Sequence, residues 1–193
     1  MIDPFFQLLI LFFVIFDPLA SFVLFSVATH KMTSIQRKTT AIIAVSVATT
    51  ISFLVLFFGQ TLLDLFNTKI AEFQIAGGVI LGILGVKMVL GYSLVDVDRV
   101  EGDSSWAIAS IIGTPLLTGP AAITSIILSV NDYGTFTTGL AVGFVLLGTA
   151  VLFYNAEKMS KILGKTMIQV TSTILGLITL SWGIKYILTG LGI

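Results

Sequence analysis

From Thr39 to Leu63 the sequence runs without one charged side chain, bounded by Lys38 and Asp64. A helix needs about 20 mainly apolar residues to cross a hydrocarbon core of about 30 Å. Five further segments meet that condition: roughly 5–29, where Asp17 is the only charge; 72–92, where Lys87 lies near the end; 104–130; 134–156; and 166–191, with Lys185 near its end. The two lysines are long enough to send their ammonium groups to the membrane interface. Only 10% of the 193 residues are charged, whereas a soluble domain carries about 25%. A bilayer is therefore the expected solvent, and lipid the first partner.

Ten basic and ten acidic residues cancel, which argues against a nucleic acid recognised by bulk charge. Without cysteine there is neither a disulfide nor a thiolate metal site, and the lone His30 has no neighbouring ligand, so no metal centre or cofactor is expected. The start, MIDPFFQLLILFF, has an acid where a signal peptide places its basic region, and reads as a retained first span. Lys31, Arg37, Lys38, Arg99, Lys158, Lys161 and Lys165 fall on one side of the six spans and Lys69 alone on the other. The positive-inside rule then predicts both termini outside. Nothing in the sequence excludes a homo-oligomer.

The sequence also matches itself. Shifted by 98 positions, Gly85–Leu90 (GVKMVL) aligns with Gly183–Leu188 (GIKYIL). Shifted by 102, Asp17-Pro18-Leu19-Ala20 aligns with Gly119-Pro120-Ala121-Ala122. The expected fold is all-α, with six transmembrane helices as two three-helix repeats, 1–95 and 105–193, joined by a cytoplasmic linker at 96–104. Three spans is an odd number, so the second repeat enters the membrane inverted. Secondary transporters use this arrangement, with sites near the midplane between discontinuous helices.

Proline suits the first position of a helix, and the residue before it is pushed out of helical geometry. Asp17 thus reads as the cap of a half-helix starting at Pro18, and Gly119 as the breakpoint before one starting at Pro120. Each start carries unpaired N–H donors and about half a positive charge. The emptier one, at Gly119, suits a small carboxylate, helped by the hydroxyls of Thr114, Thr118, Thr124 or Ser125. Asp17 is placed to face an ammonium group or to carry a coupling proton. Ala20, Ser21, Ala121 and Ala122 keep the surroundings small. Gly77 and Gly78 read mainly as close helix packing, with substrate contact as the second reading. Plain kinks and a purely structural cap remain the alternatives at the two prolines.

The stretches FDPLASFVLF, EFQIAGGVILGILGVKM and GTPLLTGPAAIT resemble the signature stretches of the MarC family of integral membrane proteins, and the six-span layout extends the resemblance over the chain. It implies an inner-membrane protein and a transporter of small neutral amino acids, such as glycine or alanine, coupled to H+ or Na+. The motif positions it carries over are Asp17, Pro18 and Leu19; Ala76, Gly77 and Gly78; and Pro115, Gly119, Pro120 and Thr124. Many members have Asn before the first proline, so Asp17 is no family-wide proton carrier. The rival readings are an exporter or channel for another small solute, and an intramembrane enzyme. A channel needs a polar stripe or a ring of like charge, and an enzyme needs a nucleophile with its base; neither pattern is evident.

Overall fold

The protein is described by a computed structural model covering residues 3–29, 32–91, 109, 113, 117–162 and 165–193. His30, Thr114, Pro115 and the 96–104 linker lie outside the described residues. Among the described residues every regular element is helical: α1 (Pro4–Phe16), α2 (Pro18–Ala28), α3 (Ser34–Leu65), α4 (Ile70–Val89), α5 (Pro120–Tyr133), α6 (Thr135–Tyr154), α7 (Ala156–Ile162) and α8 (Lys165–Leu191). Five of their stretches are long and apolar enough to cross a membrane: Pro4–Phe22, Ser34–Leu65, Ile70–Val89, Thr135–Tyr154 and Thr173–Leu191. The first half of the expected fourth span falls largely outside the described residues, and α5 forms its second half.

Local chemistry sets the helix starts. Asp3 accepts from the Phe5 N–H at 2.8 Å, with Pro4 at the first helical position. Thr33 and Gln36 form a reciprocal capping box at the start of α3. With 32 residues, α3 is about 48 Å long at about 1.5 Å per residue, so it projects beyond the hydrocarbon core. Inside the spans several threonine hydroxyls donate to carbonyls one turn back, as Thr29 does to Phe25, Thr149 to Val145 and Thr179 to Leu175, while the buried hydroxyls of Ser52 and Thr138 have no partner among the described residues. This pairing lets threonine enter an apolar helix without leaving an unmet donor.

The surface follows the solvent. Phe57, Phe136 and Phe144 are each more than half exposed, while Ser52, Thr138 and Thr149 are buried. Large exposed aromatics with polar groups inside are unfavourable in water and natural against lipid. In the core, α1 packs on α6, α3 on α6 and α5, α4 on α5, and α8 on α1 and α2. The Phe25 and Phe153 rings stack at 4.7 Å between centroids and join α2 to α6. At the same end Arg37 donates to the Thr29 carbonyl at 3.1 Å and lies 3.8 Å from Glu157.

The closest helix pair is α4 with α8, joined along a glycine seam. A methyl group added at Gly78 would lie 2.5 Å from the Gly183 carbonyl oxygen, and one at Gly85 would lie 2.7 Å from that of Gly176. Reciprocally, Gly183 faces the Gly78 carbonyl and Gly176 that of Gly85. Backbone meets backbone, so van der Waals contact replaces the hydrophobic driving force that lipid cannot supply. Gly85→Ala should lower the thermal stability of the detergent-purified protein by about 1–3 kcal/mol, because backbone rather than a flexible side chain must yield. Gly148→Ala, with open space around it, should change stability by less than about 0.5 kcal/mol.

Candidate functional site

Two breaks meet in the middle of the bundle. Pro18 excludes helical geometry from the residue before it, and Asp17 takes the left-handed conformation, φ 39° and ψ 66°. That conformation costs most residues roughly 1–2 kcal/mol, and aspartate is among the few that tolerate it. Asp17 then caps α2: its Oδ1 accepts the Ala20 N–H at 3.2 Å and its carbonyl accepts the Ser21 N–H at 3.0 Å. The Ser21 hydroxyl donates back to the Phe16 carbonyl at 3.2 Å, pairing one end of the broken helix with the other.

The second break is built differently. Gly119 is extended, φ −68° and ψ 176°, a conformation open to any residue, so what glycine supplies here is room. Its carbonyl accepts both the Ala122 and Ile123 N–H groups, at 2.9 and 3.1 Å. Pro120 has no N–H to offer. The Thr118 hydroxyl donates to the Gly113 carbonyl at 2.7 Å and that of Thr124 to the Pro120 carbonyl at 2.9 Å.

Between the breaks lies a cavity of about 190 Å³. Its floor is Ile15, Phe16, Asp17 and Ser21 on one side and Gly119 to Ala122 on the other, and its wall is one face of α4. Asp17 is 3% exposed, and its Oδ2 has no hydrogen-bond partner. A carboxylate oxygen buried this deeply needs a donor or a cation.

Of the expected site residues, the cavity brings together Asp17, Ser21, Gly119, Pro120 and Ala121. Pro18 is buried in the first turn of α2, with Leu19 and Ala20 half-buried behind it. Thr118 and Thr124 are spent on backbone carbonyls. Gly77 packs directly on the Thr124 side chain, and Gly78 belongs to the seam with α8. What sequence reasoning missed is the α4 wall of Ile80, Ile83, Leu84, Lys87 and Met88. These positions share one helical face, a signal present in the sequence at spacings of three and four. Lys87, exposed near the end of α4, also lines this cavity.

The family described as MarC family integral membrane protein matches residues 2–193. The chain belongs to the MarC family. Among its MarC relatives, the UPF0056 membrane protein YhcE of Escherichia coli is 30% identical over 97% of this chain and 91% of that protein. A UPF0056 membrane protein of Buchnera aphidicola is 29% identical over 91% and 86% of the two chains, and one from Pyrococcus horikoshii 28% identical over 93% and 90%. No solved structure matches the chain. Membership makes this an integral membrane protein, and its apolar helices make it multi-pass.

The two roles of Asp17 as a cap and as a charge separate by substitution. Asp17→Asn keeps a side-chain acceptor and tolerance of the left-handed conformation, so its thermal stability should stay within about 0.5 kcal/mol of the parent protein. Asp17→Ala loses both and should fall by about 1–2 kcal/mol in the same detergent melts.

Proposed function

We propose that this MarC chain is a secondary transporter of a small neutral amino acid, glycine or alanine, coupled to a proton or sodium gradient and working by alternating access. The observation that carries the proposal is the single cavity walled by both helix breaks. At about 30 Å³ of liquid volume per water, 190 Å³ has room for roughly six waters, a space suited to a small solute. Asp17 offers an acceptor for an ammonium group, and the start of α5 offers a positive helix end for a carboxylate. Together they match a zwitterion.

The inverted repeat belongs to the same proposal. Under the 98-residue shift Gly78 becomes Gly176 and Gly85 becomes Gly183, so the contacts Gly78–Gly183 and Gly176–Gly85 are images of each other. That exchange supports a two-fold axis running between the repeats, in the plane of an inner membrane with both termini outside. Asp17 would carry the coupling ion, through its unpartnered oxygen.

Purified protein in liposomes should accumulate labelled glycine or alanine when a proton or sodium gradient is imposed. Gly119→Leu, which places four carbons on the cavity floor without straining the backbone, should cut uptake by about tenfold or more while the protein still folds. Absence of uptake by the parent protein under either gradient would refute the transporter reading, and undiminished uptake by the leucine variant would move the site elsewhere.

A further inference from the structure

We propose that Lys87 is the carboxylate-binding residue of the cavity. The inference rests on the reading of the cavity as a substrate site and names the group that recognises the anionic end. Among the described lining residues Asp17 is the one acid and Lys87 the one base, and most of the rest are apolar or small. Lys87 has no ion-pair partner among the described residues, whose single such pair is Arg37 with Glu157.

The breakpoint at Gly119 by itself is a poor carboxylate site. Two amides of its first turn, at Ala122 and Ile123, go to the Gly119 carbonyl and Pro120 has none, whereas an ionised carboxylate presents about four lone-pair positions. Burying an anion with so few donors leaves it undersolvated, and a nearby ammonium with three donors supplies what is missing. Lys87 is placed to do so. It is exposed and lies on the α4 face of Ile80, Ile83 and Leu84 that walls the cavity, and helical side chains lean toward the N-terminal turn of their own helix.

The position of Lys87 is also fixed from behind. On the α4 surface turned to α8, Gly85 contacts the α8 backbone at Gly176 and Leu180, and Met88, at the edge between the two surfaces, packs its Cβ on Gly176. The lysine is therefore carried on a helix that cannot roll away without opening the glycine seam. A zwitterion in the cavity would lie with its ammonium toward Asp17 and its carboxylate between the start of α5 and the Lys87 ammonium.

The chain has no cysteine, so a single thiol can be introduced without a background. In proteoliposomes Leu84→Cys, on the same cavity wall and with Lys87 kept, should react with a water-soluble thiol reagent, and glycine should protect it whereas glycinamide, which lacks the carboxylate, should not. In transport assays Lys87→Gln should raise the glycine KM about tenfold or more, the scale of one lost charge-assisted hydrogen bond, and Lys87→Arg should restore part of it. Glycinamide competition should be unchanged by the glutamine variant. A cysteine that aqueous reagent does not reach, or equal protection by glycine and glycinamide, or an unaltered glycine KM in Lys87→Gln, would overturn the proposal. If the parent protein takes up neither glycine nor alanine, the transporter reading fails. Acetate protection of the Leu84→Cys thiol, and its loss when Lys87→Gln is added, then still decides whether Lys87 binds a carboxylate.

Discussion

Lipid offers no hydrogen bonds, and the rest of this structure depends on that constraint. A helix broken in mid-membrane exposes several kcal/mol of unmet backbone for each orphan group, so a break persists only where the fold supplies partners or a polar cavity. Both breaks here show the cost being met locally. Asp17 caps α2, Ser21 returns to the Phe16 carbonyl, and Thr118 returns to the Gly113 carbonyl. The remainder, Asp17 Oδ2 and the start of α5, lines a shared cavity. A ligand is the natural completion of that set.

The glycine seam gives the cavity its second wall. Because α4 and α8 touch backbone to backbone, they form a rigid pair, and α4 turns its other face toward the breaks. Larger residues at Gly78 or Gly85 would push α4 outward and change the distance between Lys87 and Asp17. Packing on one side of a helix thereby sets the geometry of the chemistry on the other.

Much of the site was legible because proline and glycine act locally. Pro18 and Pro120 each dictate a helix start, and the acid before Pro18 reads as a cap whatever the rest of the chain does. The motifs that resemble the MarC family led to the same residues, and the family match over residues 2–193 agrees with them. Less legible was the role of hydroxyls. Thr118 and Thr124 read as ligand contacts, yet carbonyls of neighbouring turns take them up, since a hydroxyl in an apolar helix finds the nearest acceptor first.

The sequence by itself determined that this chain lives in a membrane, where its helices start, and where two of them must break, because charge content, apolar length and proline geometry need no distant partner. Tertiary structure decided which groups share a space. The packing of α4 against α5 and α8 turned Gly77 and Gly78 into packing contacts and brought Lys87 to the wall of the cavity that holds Asp17, seventy residues away in sequence. Side chains near the end of a membrane helix have two places to go, the interface or an internal cavity. Only the packing of neighbouring helices determines which one is open.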